Sequence, residues 1–351
     1  MAAVGELVEN RFQLSQLLTT SAGTETWRAR HKLVGRDVTL KLLTPKLGPD
    51  PGARSRLVGE ARAAALVRHP NVVDVWDVAV TADGVPYILM EPVEGESLDR
   101  ALAHSGALGP RRACELALEV LSALQAAHTA GVVHGQLEPR CVVVGPSSPV
   151  KVLGFGWGSN ERAEPDVHAA PFVAPERTRG LPCDARSDVF ALGALLYTMI
   201  TGRAPFEGRT VQEIAGAVAA GRRRPMRAAF ATIAPGLAAV IDRALATSPA
   251  HRLSSARELA EELRPFAPDV QPRPPMPARA QQPTLSGAVA KLDAMVVGAM
   301  PEVGPERLIE VASRARERPQ PSSASPGTRW LALAAIAAVV AVLCAAWIRH
   351  L

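Results

Sequence analysis

Two separate parts of the chain carry polar residues whose types and spacing could do chemistry. Lys41 ends the segment DVTLK, and Glu60 follows in GEARAAALVRHPN, so the two side chains could form an ion pair. Further along, the segment HGQLEPRC contains His134, the neutral amide of Gln136 and the thiol of Cys141. An amide can hydrogen-bond a hydroxyl but cannot take its proton near pH 7, and a thiol is a poor ligand for Mg²⁺. The residue types at positions 136 and 141 therefore supply neither a general base nor a good magnesium ligand.

The elements that must position these residues fall into two groups. Residues 12–90 are predicted to be strands broken by turns, with one helix near 52–67, because segments such as DVTLKLL alternate apolar and polar residues. Residues 97–266 are predicted to be mostly helical, and LGALLYTMI, apolar on nearly every side, should form a central helix. The predicted fold class is α+β, with a small strand-rich lobe and a large helical lobe. Ligands commonly bind in the crevice between such lobes.

The order of motifs along the chain resembles that of the protein kinase family, in its bacterial Ser/Thr branch, over about residues 12–266. The motifs are DVTLK, GEARAAALVRHPN, PYILMEPVEGESL, AAHTAGVVHGQLEPRC, VKVLGFG, FVAPE, CDARSDVFALG and SPAHR. The resemblance implies a bilobal kinase-like domain at 1–266. Its small N-lobe would cover about residues 10–92, and its larger C-lobe would cover about residues 93–266.

The same resemblance implies roles for residues that match the family pattern. Lys41 and Glu60 match the lysine that holds the ATP phosphates and its helix glutamate, and the backbone of Glu91 and Val93 would face adenine. The first pair admits two interpretations, a remnant of the nucleotide site or a salt bridge that sets the helix position. The residues that match structural positions of the family are His134, Phe155, Glu176, Asp188 and Arg252.

Four positions depart from the catalytic pattern of the family. Gln136 stands where the family has its catalytic aspartate, and Glu138 replaces a lysine, which would invert the local charge against an anionic transition state. Cys141 and Gly154 stand where the family has its two magnesium ligands. The three glycine positions of the nucleotide loop match Thr19, Ser21 and Thr24. These departures predict a pseudokinase with no efficient phosphoryl transfer, whose remaining pocket takes ATP without Mg²⁺ or takes no nucleotide.

Two alternatives remain open beside the pseudokinase. One is an atypical but active Ser/Thr protein kinase that transfers the γ-phosphate of ATP to protein, with Glu161, Glu164 or Asp166 as a substitute acid. The other is a metal-independent nucleotide sensor. As a binding module, the chain is expected to meet a cytoplasmic signalling protein, and analogy with the family favours an active kinase as that partner.

The composition changes after the kinase-like part. Residues 267–329 are Pro-rich and are predicted to be a juxtamembrane linker, in which 285–297 and 306–316 have the spacing of short, unstable helices. Residues 330–348, WLALAAIAAVVAVLCAAWI, carry no charge and at ~1.5 Å per residue span roughly 30 Å, the thickness of a bilayer core. Arginines on the N-terminal side predict a single-pass, tail-anchored membrane protein with its kinase-like domain in the cytoplasm.

The charge balance and the cysteines exclude two further classes of site. The 39 Lys+Arg against 34 Asp+Glu leave a net charge of +5 with no long basic run, so no nucleic-acid partner is expected. The densest basic cluster, Arg222, Arg223, Arg224 and Arg227, is more simply a solvated loop between two helices. The four cysteines have no CxxC spacing, so they are expected to be reduced thiols and not metal ligands.

Overall fold

The computed structural model describes residues 2–21, 23–145, 149–156 and 165–270. These residues form a small lobe built mainly from a β-sheet and a large lobe built mainly from helices. The two-lobed α+β arrangement predicted from the alternating and helical patterns is therefore confirmed.

The small lobe consists of a six-stranded antiparallel sheet and one long helix. Its elements are β1 (Leu7–Val8), β2 (Phe12–Ser21), β3 (Thr24–His31), β4 (Asp37–Leu43), α1 (Pro51–Ala65), β5 (Val75–Val80) and β6 (Pro86–Met90). The strand order in the sheet is β1-β2-β3-β4-β6-β5. Alternate residues of a strand point to opposite faces, so Val38 and Leu40 of β4 pack beside Trp27 in an outer apolar cluster. Thr39 and Lys41 consequently point to the other face, toward the large lobe.

Helix α1 packs against the inner face of this sheet. Its N-cap residue Asp50 accepts a hydrogen bond of 2.9 Å from the amide of Gly52, which satisfies one of the free donors at the helix start. Leu57 and Ala61 are buried among apolar residues of the sheet. Glu60 lies between them in sequence and is buried as well, so packing of the helix fixes where its carboxylate lies.

The large lobe contains eight helices and a small three-stranded sheet among the described residues. Its strands are β7 (Glu96–Ser97), β8 (Val142–Val144) and β9 (Lys151–Val152). Its helices are α2 (Leu98–Ser105), α3 (Pro110–Thr129), α4 (Pro175–Thr178), α5 (Ala185–Thr201), α6 (Val211–Ala219), α7 (Met226–Ala229), α8 (Pro235–Ala244) and α9 (Ala256–Leu263). Short 3-10 turns are formed by Pro139–Cys141, Ala170–Phe172, Pro249–His251 and Arg264–Phe266.

Helix α5 runs through the core of the large lobe, as its continuous apolar pattern predicted. It begins with a capping box in which Asp184 and Ser187 exchange side-chain to backbone hydrogen bonds. A Cβ atom added at Gly193 would lie 2.8 Å from the Cβ of Ala244, so α5 and α8 pack too closely for a larger residue there. The central helix is therefore buried on nearly every side.

Within the four described ranges, no helix is both long enough and apolar enough to cross a bilayer. The predicted span at 330–348 lies outside the described residues. The same is true of nearly all of the predicted linker, including its segments 285–297 and 306–316.

Candidate functional site

Lys41 and Glu60 meet at the bottom of the cleft between the lobes. The Nζ atom of Lys41 lies 2.6 Å and 2.7 Å from the two carboxylate oxygens of Glu60. Both residues are buried, at 7% and 6% exposure. A buried charge left without its partner is costly, so this pair ties strand β4 to helix α1.

Asp188, in the first turn of α5, holds the loop that contains the segment HGQLEPRC. Its carboxylate accepts hydrogen bonds from the backbone amides of His134 at 2.9 Å and Gly135 at 2.8 Å. The Nε2 atom of His128 lies 2.8 Å from the same carboxylate. The loop backbone is therefore anchored to the central helix.

The ring of His134 is fully enclosed between the lobes. Its Nε2 atom lies 2.9 Å from the carbonyl oxygen of Leu153, and its Nδ1 atom accepts a 3.3 Å hydrogen bond from the amide of Gln136. The Phe155 ring packs against it with 4.8 Å between centroids. Burial lowers the pKa of His134, in agreement with a neutral ring that donates from Nε2 and accepts at Nδ1. The ring thus has a packing role and no free nitrogen for catalysis.

Gln136, Cys141 and Gly154 converge on one small cavity together with Lys41. The cavity has a volume of about 20 Å³, which holds about one water molecule. Oε1 of Gln136 is buried and has no hydrogen-bond partner among the described residues. Burial raises the pKa of the Cys141 thiol, so the sulfur stays protonated and does not act as a thiolate ligand.

The backbone at Gly154 has a conformation that favours glycine. Its φ angle is +86°, in the left-handed region that residues with side chains rarely adopt. A Cβ atom built there would lie 3.6 Å from the sulfur of Cys141 and 3.8 Å from Cε1 of His134. A side chain at this position would thus start in strained backbone and in contact with both neighbours.

Glu138 is paired with a cation, which corrects the expectation of a simple charge inversion. Nε and Nη2 of Arg140 donate to Oε2 of Glu138 at 3.0 Å and 2.8 Å, and Glu138 is only 1% exposed. Burial raises the pKa of Glu138, although the adjacent Arg140 guanidinium opposes this effect. The negative charge is therefore balanced within the loop and does not face the cleft alone.

Asp166, one of the three candidate substitute acids, belongs to the same cluster. Its Oδ2 atom accepts a 2.8 Å hydrogen bond from Nη2 of Arg140. Burial raises the pKa of Asp166, but hydrogen bonds from the Ala169 amide and from Arg140 outweigh it and leave the pKa lowered. A carboxylate held in this way is a weak proton acceptor. The other two candidates, Glu161 and Glu164, lie outside the described residues.

The turn between β2 and β3 closes over this cluster. Oγ of Ser21 donates a 2.7 Å hydrogen bond to Oε1 of Glu138, and Nη1 of Arg140 donates to the carbonyl oxygen of Thr20 at 3.2 Å. Thr19 and Thr24 are buried and line the same cavity as Lys41. The turn that matches the family's nucleotide loop is thus hydrogen-bonded directly to the large lobe.

Side chains of the small lobe form hydrogen bonds with the backbone of the segment that connects the two lobes. The amide of Val93 donates a 3.1 Å hydrogen bond to Oγ1 of Thr39, and Nη2 of Arg28 donates to the carbonyl oxygen of Val93 at 2.9 Å. The amide of Glu91 donates to the carbonyl oxygen of Asp74 at 2.9 Å. Both polar backbone groups of Val93, which were expected to face adenine, are therefore already bonded within the chain.

A second ion pair lies deep in the large lobe. Nη1 and Nη2 of Arg252 donate to the two carboxylate oxygens of Glu176 at 2.8 Å and 2.7 Å. Oε1 of Glu176 also accepts a 2.6 Å hydrogen bond from Oγ of Ser187. The guanidinium further lies over the ring of Phe190, 5.0 Å from its centroid. This pair joins helix α4 to the segment between α8 and α9.

The family model of the protein kinase domain matches residues 15–263 of the chain. The chain belongs to the protein kinase domain family. Among curated relatives, it is 32% identical over 272 residues to "Probable serine/threonine-protein kinase PknB" of Corynebacterium glutamicum, covering 73% of this chain and 42% of that protein. It is 33% identical over 267 residues to "Serine/threonine-protein kinase PknB" of Mycolicibacterium smegmatis, covering 73% of this chain and 43% of that protein. The chain thus spans about two-fifths of the length of these kinases.

A solved structure of the family has the same fold. The crystal structure of a point mutant of the Mycobacterium tuberculosis PknI kinase domain matches with a TM-score of 0.61 and 26% sequence identity. The match covers 76% of this chain and 99% of the PknI domain. The bilobal kinase fold therefore extends over the described part of the chain.

Three residues of the site were not found from the sequence. Thr39 lies two positions before Lys41 in a strand, so it points to the same face, and this alternation could have revealed it. Arg28 had no such signal, because its contact with Val93 joins residues that are distant in sequence. Arg140 is close to Glu138 in sequence, but nothing in the sequence indicated that its side chain pairs with Glu138 and Asp166.

Proposed function

We propose that this chain is a pseudokinase that works by binding another protein and has no efficient phosphoryl transfer. The single observation that carries the proposal is the small cavity shared by Gln136, Cys141, Gly154 and Lys41. By resemblance, three of these positions would supply the proton acceptor and both metal ligands. An amide, a protonated thiol and a glycine supply neither function.

The closed cleft supports the same proposal. Small-molecule sites usually enclose about 300–1000 Å³, whereas the cavity beside Lys41 has about 20 Å³. ATP could enter only if the Ser21–Glu138 hydrogen bond opened, and adenine would have to displace Thr39 and Arg28 from Val93. We therefore propose that the chain takes no nucleotide, or takes ATP weakly and without Mg²⁺.

An active Ser/Thr protein kinase is the second candidate. The intact pair of Lys41 and Glu60 favours it, since this contact matches the one that the family uses to hold ATP phosphates. The relatives are also named as Ser/Thr protein kinases. A metal-independent nucleotide sensor is compatible with the same pair, because it needs no proton acceptor.

The proposed partner is a cytoplasmic signalling protein, and an active kinase fits best by analogy with the family. We further propose that residues 330–348 attach the chain to a membrane in a single pass, with the kinase-like domain in the cytoplasm. Attachment would raise the effective concentration of a membrane-bound partner.

A phosphorylation assay separates these candidates. The 351-residue chain would be incubated with radiolabelled ATP and either Mg²⁺ or Mn²⁺, beside an active Ser/Thr kinase as positive control. Losing a general base costs roughly 10²–10⁴ in rate, and losing a preorganised charge contact costs about 10²–10³. We expect label incorporation equal to that of the Lys41→Ala variant. Incorporation that disappears in Lys41→Ala would overturn the pseudokinase proposal.

A thermal-shift measurement with ATP in EDTA tests the sensor. An increase in Tm for the wild-type chain that is absent from Lys41→Ala would support a metal-independent nucleotide site. An unchanged Tm at millimolar ATP would reject the sensor and leave the pseudokinase without a nucleotide.

A further inference from the structure

A large open cavity lies on the large lobe, remote from the interlobe cleft. It is formed by the end of α5, by α6 and by the loop that leads to α7, and its volume is about 1030 Å³. The arginines that line it are Arg203, Arg222, Arg223 and Arg224. Three of these four come from the basic cluster that the sequence predicted to be a solvated loop. The structure does place them in a loop between α6 and α7, with Arg222 and Arg224 exposed, and this loop lines the cavity.

The four guanidinium groups have different partners. Nη1 of Arg223 lies 2.5 Å from Oδ1 of Asp242, which fixes this arginine in the cavity wall. Nη2 of Arg224 donates to the carbonyl oxygen of Ala228 at 2.8 Å. The side chains of Arg203 and Arg222 have no hydrogen bond or ion pair with any residue that the structure describes. Two cations of the cavity are thus available to an external anion.

The wall around these cations adds a donor and restricts the approach. Tyr197 lines the cavity, and its hydroxyl is a hydrogen-bond donor at neutral pH, since its ordinary pKa lies near 10 and burial raises the pKa further. Arg222 lies against α6, because a Cβ atom added at Gly216 would be 3.8 Å from its Nη2 atom. Glu207 and Glu213 also line the cavity, so its positive charge is local and not spread over the surface.

We infer that this cavity binds a phosphorylated serine or threonine side chain of the partner protein. The inference rests on the proposed function as a binding module and specifies the state of its partner. A phosphate monoester carries about −1.5 to −2 charge and three acceptor oxygens at neutral pH. Guanidinium groups match that geometry with paired N–H donors, which is why arginine clusters recognise phosphorylated motifs.

The observations favour a phosphoprotein over a membrane or a nucleic acid. An anionic membrane would meet Glu207 and Glu213 along with the arginines. It would also find no apolar anchor here, because none of the strongly exposed large apolar side chains among the described residues lines this cavity. A nucleic acid needs a row of cations along its backbone, whereas these cations converge on one concave site.

The test uses the 351-residue chain and a fluorescein-labelled peptide pool with one fixed phosphothreonine and randomised flanks. The same pool with threonine is the reference, and binding is followed by fluorescence anisotropy. Arg203→Gln and Arg222→Gln remove the two unpaired cations. Arg227→Gln is the matched control, because Arg227 belongs to the same sequence cluster but does not line the cavity. Thermal unfolding of each variant verifies that it is folded.

We expect the phosphorylated pool to bind at least tenfold more tightly than the reference pool. Either cavity variant should weaken that binding about tenfold or more, since a hydrogen bond to a charged group is lost, and Arg227→Gln should leave it unchanged. Equal affinity for the two pools in the wild-type chain would overturn the inference, whatever the variants do.

Two further measurements test whether inorganic phosphate or an anionic membrane is the ligand of the cavity. Competition by inorganic phosphate at the affinity of the peptides would overturn the assignment to a protein ligand. Co-sedimentation that is stronger with phosphatidylglycerol vesicles than with neutral phosphatidylcholine vesicles and loses this difference in Arg222→Gln, without any preference for the phosphorylated pool, would replace it by a membrane contact. None of these results bears on phosphoryl transfer, so the pseudokinase proposal stands or falls separately in the ATP assay.

Discussion

Replacing Thr39 with alanine and Arg28 with leucine should let the hinge bind adenine. In the wild-type chain, Thr39 accepts from the amide of Val93, and Arg28 donates to the carbonyl oxygen of the same residue. An incoming adenine base must break both hydrogen bonds before it can form its own. The double variant removes that competition and leaves the Lys41–Glu60 pair in place.

The size of the effect follows from the two contacts. A neutral hydrogen bond contributes about 0.5–1.5 kcal/mol and one from a charged group about 1.5–3 kcal/mol. Arg28 is only partly buried, so we take the lower end of its range. The combined competition is then about 2–3 kcal/mol, and at about 1.4 kcal/mol for each tenfold change it corresponds to ~30- to 140-fold in affinity.

Titration with a fluorescent ATP analogue in EDTA measures this change, because it needs no metal and no catalysis. Arg30→Leu is the matched control, since Arg30 lies on the same strand, is 62% exposed and pairs only with the exposed Asp37 among the described residues. The double variant should bind ~30- to 140-fold more tightly than this control. If the two proteins bind the analogue equally, the contacts at Val93 do not limit nucleotide affinity and the reasoning is refuted.

Three further predictions concern the buried contacts. Arg252→Leu should lower the free energy of unfolding in urea by about 3–5 kcal/mol, because it leaves a buried carboxylate unpaired. Arg257→Leu, which breaks a surface pair whose arginine side chain is 80% exposed, should cost less than about 1 kcal/mol. Equal losses in the two variants would contradict this. Ser21→Ala should raise the rate of amide hydrogen exchange in the β2–β3 turn about tenfold, because a hydrogen bond to a carboxylate is lost. An unchanged exchange rate would show that other contacts hold the turn. Burial lowers the pKa of His134 below its usual 6.5, so the unfolded chain binds more protons, and stability should decrease as the pH falls below about 6.5. His134→Gln should flatten the dependence of Tm on pH between about 8 and 5, and an identical slope would rule out this histidine as the cause.

Much of the fold could be predicted because it depends on local pattern. Alternation in the β4 segment and the apolar run of α5 determine which residues can be buried, and burial of these faces drives the two lobes to form. The residue types at 136, 141 and 154 were also visible, and no packing can turn an amide, a thiol or a glycine into a carboxylate. The residue types at these three positions are thus a property of the sequence, and the proposed loss of phosphoryl transfer rests on them.

The contacts that close the cleft could not be predicted in the same way. Arg28 meets Val93, and Ser21 meets Glu138, only after the small lobe has folded onto the large lobe. Glu138 was expected to invert the local charge, whereas Arg140 balances that charge within the loop. Side-chain pairs of this kind depend on rotamers and on the distance between lobes, which sequence periodicity does not encode.

The basic cluster illustrates the same division. The sequence by itself determined that Arg222 and Arg227 are positive and close along the chain. Only the tertiary structure decided that Arg222 lines a cavity beside Arg203, and that Arg227 does not. The physical reason is that charge belongs to the residue, whereas convergence of charges from different parts of the chain depends on tertiary packing, which here brings the segment after α5 and the loop after α6 to one cavity.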